Sequence, residues 1–394
     1  HLIAQEYDPS KNDFKQETAK TICCKQEKEM TDIKTDYKLM VPVEKLQGDM
    51  LIFSGDTKQE LFNNLNEVAR SIKQENSFLT LLAYKTHTEK HKKFAVSINA
   101  ENPDKLKEKI AFFIKTANGA DVWSDPSLYL KMKGIYPFNP TTDKPKVCFM
   151  FPGQGAQYVD MMKDLASKYR IVRDTFAQAD KILKEIIGST LTDTLWSKEG
   201  ETKEEYKKRE EAIKQTQITQ PAILTCNVAM MRLLYQFGLK PDVTMGHSLG
   251  EYGAAVASGI LNFEDAIKAV TIRGSVMSNI ELEDTGKMAA VSASVETIEP
   301  ELAKISGYVA VANKNCPTQT VIAGESKSVE DAVALFNSLG IQAVEIPVSH
   351  AFHSKMVAPV MPSYRKFLDT LDVKAPTLPI TSNVSADFFP TEIE

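Results

Sequence analysis

The pentapeptide Gly246-His247-Ser248-Leu249-Gly250 constrains this chain more than any other stretch, because Gly-x-Ser-x-Gly is the pattern of a sharp strand-to-helix turn. The segment Asp242–Met245 before it reads as a strand, and a helix is expected from near Leu249. In such a turn the serine Oγ is pushed toward solvent, while Gly246 and Gly250 leave room for close backbone packing. The helix then aims its first amides at whatever binds there. Ser248 is therefore the candidate nucleophile. The alternative is a glycine-rich turn with an idle serine.

With 394 residues, two or three folding units are expected. A 43% hydrophobic and 25% charged content is ordinary for a globular chain, and a net charge of −5 argues against nucleic acid or an anionic membrane surface as partner. No apolar run approaches the roughly 20 residues needed to span a bilayer. The opening His1-Leu2-Ile3-Ala4-Gln5-Glu6 lacks the basic and apolar regions of a secretory signal and an initiator methionine, so a processed or excised piece is expected. The five cysteines (Cys23, Cys24, Cys148, Cys226 and Cys316) are odd in number and lack metal-ligand spacing, which predicts reduced thiols and a cytoplasmic location. His350 and His353 lack a nearby third ligand, so no metal site is expected.

Residues 1–45 are dominated by polar and charged side chains and read as a tail or remnant linker. Over 46–140 the order strand, helix, strand, helix predicts a small α/β unit, with a capping box at Thr57-x-x-Glu60, a helix start at Asn102-Pro103, and an aromatic connector over 120–145. A larger α/β unit over 141–286 and 347–394 opens with the apolar run Lys146–Phe151, expected to be a buried parallel strand. Helices are expected over Pro221–Phe237, from Asn262 to Ile272 and near Met356–Leu371, and a strand near Leu378–Val384. Residues 287–346 alternate β-α-β-β-α-β, the ferredoxin-like pattern, and an insertion of this kind forms one wall of a cleft.

A serine nucleophile needs a base. His353, in a loop after the insertion, is the candidate; the alternative is a histidine serving only a local hydrogen bond. His247 adjoins Ser248, but neighbouring elbow side chains point apart, so it is expected to pack or bond behind the serine. No acidic residue stands out as third member of a triad, and a backbone carbonyl holding Nδ1–H would leave a Ser–His dyad. The amides of Leu249 and Gln154 are the natural pair of oxyanion donors. Arg273, after the helix Phe263–Ile272, is either a carboxylate-binding fork, a helix-end surface arginine or part of an internal salt bridge.

The motifs Phe151-Pro152-Gly153-Gln154-Gly155, Thr219-Gln220-Pro221-Ala222, Gly246-His247-Ser248-Leu249-Gly250-Glu251-Tyr252 with Arg273, Val311-Ala312-Asn313-Lys314-Asn315-Cys316-Pro317 and His350-Ala351-Phe352-His353-Ser354 occur in that order. Together they resemble the malonyl-CoA:acyl-carrier-protein transacylase family, specifically the acyltransferase domain of a modular polyketide synthase or related multidomain synthase. The resemblance implies a hydrolase-like α/β parallel-sheet core with an inserted ferredoxin-like subdomain, preceded by the α/β linker that follows a ketosynthase. It implies Ser248 as acyl carrier, His353 as base, Gln154 and Leu249 backbone as oxyanion hole, and Arg273 as the malonyl carboxylate ligand. His247, Asn315, His350 and Phe352 would line the pocket, and the His-Ala-Phe-His pattern at 350–353 resembles malonyl-selective members. Malonyl-CoA and the phosphopantetheine of an acyl carrier protein would be the substrates, with no permanently bound cofactor. Two rivals share these residues: an acyl-thioester hydrolase, and a docking scaffold with a silent site. Family domains also continue past the position of Glu394, through a segment that supplies a carbonyl to the histidine.

Overall fold

Alternation of apolar and polar positions sets the sheets, and helix caps set their covering layers. The computed structural model describes residues 49–72, 78–79, 82–83, 86, 92–124, 128–139, 145–280 and 282–391. The polar tail, with Cys23 and Cys24, lies outside them. The chain divides into two units, one over Lys38–Pro145 and one from Lys146 onward.

In the first unit, β1 (Asp49–Gly55), β2 (Phe94–Ala100) and β3 (Ile135–Phe138) form an antiparallel sheet in that order. Helix α1 (Lys58–Ser71) starts where the Thr57 side chain accepts from Glu60 N–H, but the Glu60 carboxylate bonds Asp56 N–H, one residue before the expected box partner. Asn102 caps α2 (Pro103–Gly119), with Pro103 in its first turn. The expected connector is integral to this fold. Trp123 is buried and its Nε1–H donates to Ala95 O at 3.1 Å, while Tyr136 and Phe138 lie on β3 after the short α3 (Leu128–Met132).

The second unit is built around β4 (Cys148–Phe151) and β5 (Val243–Gly246), which run parallel. Between them come α4 (Lys163–Lys168), α5 (Arg170–Ile187), α6 (Leu191–Leu195), the mostly exposed α7 (Lys203–Ala212) and α8 (Thr216–Gln236), which begins before Pro221 and is buried along most of its length. The expectation of a fully buried β4 fails. Phe149 and Phe151 enter the core, whereas their alternate Met150 is 72% exposed beside its register partner Met245. The described residues cover one face only, so period-two alternation leaves the other side chains in solvent. A third parallel segment lies beyond β5, where Thr244 N–H donates to Pro379 O and Thr381 N–H to Thr244 O. It is a bridge instead of the expected strand, since Pro379 has no N–H to extend the ladder.

After β5 come α9 (Gly250–Ala257) and α10 (Phe263–Ser278), the latter capped by Asn262. The insertion then folds as β6 (Lys287–Val291), α11 (Val295–Leu302), β7 (Val309–Cys316), β8 (Gln319–Gly324), α12 (Ser326–Ser338) and β9 (Ala343–Ile346). Its sheet order β7-β8-β6-β9, antiparallel throughout, is the ferredoxin-like arrangement. Alternation divides this sheet between two cores. Ala289, Val291 and Ile322 pack under α11 and α12, while Met288, Val321 and Ala323 pack with Met277 of α10 and with Phe352. The second face thereby becomes a wall beside the loop 347–354. The helix expected near Met356–Leu371 divides into a 3₁₀ turn (Lys355–Val360) and α13 (Met361–Leu368), because Pro359 and Pro362 remove two helix donors.

Candidate active site

The elbow is assembled by three glycines at positions where backbone meets backbone. A Cβ on Gly246 would lie 2.2 Å from Gly250 C, one on Gly250 would lie 2.0 Å from Phe151 O, and one on Gly153 would lie 2.5 Å from His247 O. His247 N–H donates to Phe151 O at 3.0 Å and Gly250 N–H to His247 O at 2.9 Å, which closes the turn. Ser248 is left with φ 53, a left-handed conformation that costs a non-glycine residue about 1–3 kcal/mol. The strain turns the hydroxyl out of the turn.

Ser248 Oγ meets His353 Nε2 at 2.7 Å, across 105 residues of sequence. His353 also has a left-handed backbone, φ 58, which turns its ring back over the elbow. Burial, reinforced by the positive charge of Arg273 and by His247, lowers its pKa to about 4. The ring is therefore neutral near pH 7, and with the proton on Nδ1 its Nε2 lone pair is available to the hydroxyl.

Arg273 lies inside α10, the helix capped by Asn262, which runs past the expected end at Ile272, and is 8% exposed. Its Nη1–H donates to Gln220 Oε1 at 2.9 Å, while Nε is buried without a hydrogen-bond partner among the described residues. Gly274 makes room for this arrangement: a Cβ there would sit 2.8 Å from Gln217 Cα at the start of α8. A buried guanidinium with an unmatched donor leaves capacity for an acceptor from a ligand. Helix-end surface and salt-bridge readings of Arg273 do not describe this geometry.

Leu249 is buried at the start of α9, and its amide N lies 3.4 Å from where a Gly153 Cβ would stand, so Gly153, the residue before Gln154, borders that N–H. His247 is exposed, not behind the serine; its Nε2 bonds Asn315 Oδ1 at 3.0 Å, and Asn315 Nδ2–H donates to Gln319 Oε1 at 3.1 Å. This chain links the elbow to the β7–β8 hairpin. His350 and Phe352 are both buried with ring centroids 5.9 Å apart, and His350 Nδ1 bonds Ser349 Oγ, itself bonded to Thr216 Oγ1. Burial lowers the pKa of His350. Cys148, Cys226 and Cys316 are free thiols, and burial raises Cys226 strongly. Among the described residues no three His, Cys, Asp or Glu side chains could hold a metal ion, and no helix is long and apolar enough to cross a membrane.

Sequence reasoning gave no role to three residues. Gln220, fully buried in α8, orients Arg273; Glu251 and Asn383 bond one another behind the elbow, with Asn383 N–H on Glu251 Oε1 at 2.9 Å. Gln220 and Glu251 were marked as members of sequence motifs, and Gln220 also as a polar residue on an apolar helix. Nothing local marked Asn383.

Residues 148–390 match the acyl transferase domain family. The malonyl CoA-acyl carrier protein transacylase of Bacillus subtilis is 35% identical over 247 residues, 61% of this chain and 74% of that protein. A PKS-NRPS hybrid synthetase of Aspergillus niger is 28% identical over 330 residues, covering 83% of this chain and 16% of the synthetase. Among solved structures, the acyl transferase domain of ZmaA has a similar fold, with a TM-score of 0.74 at 21% identity over 89% of this chain and 75% of that one.

Proposed function

The chain belongs to the acyl transferase domain family, and on that premise we propose that it transfers a malonyl unit from coenzyme A, through acyl-Ser248, to the phosphopantetheine thiol of an acyl carrier protein. The observation that carries this reading is the 2.7 Å contact between Ser248 Oγ and His353 Nε2. The named relatives supply the substrate class, and the buried guanidinium of Arg273 suits a carboxylated acyl group.

In the proposed reaction the free carboxylate of malonyl-CoA pairs with Arg273. His353 Nε2 takes the Ser248 proton as Oγ attacks the thioester carbonyl, and the oxyanion is met by the N–H groups of Leu249 and Gln154. Collapse breaks the C–S bond, and His353 returns its proton to the coenzyme A sulfur. The carrier thiol then gives a proton to His353 and attacks the malonyl ester, and Ser248 leaves with that proton. His247, Asn315, His350 and Phe352 shape the pocket. No resident cofactor takes part. The unit over Lys38–Pro145 acts as the linker following a ketosynthase in a larger cytoplasmic synthase making polyketide or fatty-acid-type chains; the similarity to the Aspergillus niger synthetase over 83% of this chain supports that context.

Incubation with malonyl-CoA and, separately, methylmalonyl-CoA or acetyl-CoA, read by intact mass, tests the proposal. A malonyl adduct that Ser248→Ala abolishes is expected. Steady coenzyme A release without adduct would identify a hydrolase instead, and neither signal a silent scaffold.

A further inference from the structure

We infer that Asn383 is a positioning residue for the nucleophile, holding Ser248 in its strained conformation and reserving the Ser248 N–H so that it takes no part in oxyanion binding. The inference rests on the reading of Ser248 as nucleophile.

Three hydrogen bonds carry it. Asn383 Oδ1 accepts from Ser248 N–H at 3.0 Å, its Nδ2–H donates to Gly246 O at 2.7 Å, and its own N–H donates to Glu251 Oε1 at 2.9 Å. The parallel ladder between β5 and residues 379–381 ends at Thr244, because the chain turns away from the sheet at Gly246. Gly246 C=O and Ser248 N–H are therefore the backbone groups that this turn removes from the ladder. One carboxamide satisfies both, acting as a detached peptide group across the two ends of the elbow. The partners also fix its orientation, since an N–H requires the oxygen and a C=O requires the NH₂.

The same segment is anchored on its far side. Ser382 is buried, its N–H donates to Asp387 O at 2.7 Å, and its Oγ accepts from Val384 N–H at 3.1 Å. Glu251, buried in the first turn of α9, holds the Asn383 backbone. Helix, elbow and third sheet segment thus lock together at Asn383. With Ser248 N–H occupied, the proposed oxyanion donors remain the N–H groups of Leu249 and Gln154. Aspartate, with no NH₂, cannot reproduce the clamp: it can accept from Ser248 but sets an oxygen against Gly246 C=O.

The test is the second-order rate of labelling by a fluorophosphonate, in which Ser248 Oγ bonds phosphorus, fluoride leaves and His353 takes the proton. The probe carries no carboxylate, so Arg273 is not engaged. Rates are taken well below the melting temperature of each variant, alongside KM and kcat for malonyl-CoA. Asn383→Ala and Asn383→Asp are expected to slow labelling per folded molecule by about tenfold, with kcat falling in parallel and KM held. If Asn383→Ala does not fold, the isosteric Asn383→Asp carries the comparison. Label confined to Ser248, with folded Asn383 variants reacting at the wild-type rate, would overturn this inference alone. Label retained in Ser248→Ala would remove the nucleophile reading and this inference with it.

Discussion

Ser248 and His353 are both held in the left-handed backbone region, at φ 53 and 58, and their side chains meet at 2.7 Å. Two strained positions facing each other mean that neither side chain reaches the other by relaxing. Each is aimed by the turn that holds it, and the aim is maintained by packing.

The depressed pKa of His353 sets an expected pH profile. The ring must be neutral to accept the serine proton, so acylation is expected to be flat through neutral pH and to fall only as pH approaches about 4. Arg273→Ala removes a positive charge that lowers this pKa, and should move the inflection upward. Stability runs in the same direction. Between the ordinary histidine range and about 4 the unfolded chain binds a proton that the folded chain does not, so this contribution is lost as pH falls through that window. Acylation rates and denaturant melts against pH check both.

Arg273→Ala should reduce malonyl loading at least about tenfold more than acetyl loading, since only malonyl presents a carboxylate to the guanidinium. Initial rates of adduct formation with the two thioesters make the comparison. Equal losses would show that Arg273 supports the fold or the elbow instead of the acyl group.

Gly250→Ala should prevent the elbow from closing, because the new methyl would lie 2.0 Å from Phe151 O and 2.7 Å from Phe151 C. Both are backbone atoms of β4 and cannot turn aside. The expected cost is about 3 kcal/mol or more, near the upper end for overpacking. A denaturant melt measures it, and a stability within error of the wild type would show that the strand shifts freely.

Phe352→Ser should raise methylmalonyl loading relative to malonyl. Phe352 is 5% exposed and packs with Met277 and Val321 beside the site, so shortening it opens space for an α-methyl branch. A methyl group in a pocket is worth about 1–3 kcal/mol, which sets a shift of roughly tenfold as the expected scale. Competition between the two thioesters, read by adduct mass, gives the ratio directly.

Much of the architecture was legible because it is local. Gly-x-Ser-x-Gly encodes its turn through the steric requirements at Gly246 and Gly250, Asn102 and Asn262 announce their helices through caps, and period-two alternation marks the strands of the insertion. Residue type and motif in the sequence also nominated Ser248 and His353, and the structure brings their side chains into contact. Tertiary structure alone decided where alternation meets solvent on β4, that Arg273 lies within α10 with one donor on Gln220, and that His247 reaches outward to Asn315. It alone brought Asn383, 135 residues along the chain, to the N–H of Ser248. The physical reason is the same in each case. Turns, caps and periodicity depend on neighbours in sequence, whereas satisfying a buried donor or covering a sheet face depends on which distant segment arrives, and no short stretch of residues carries that information.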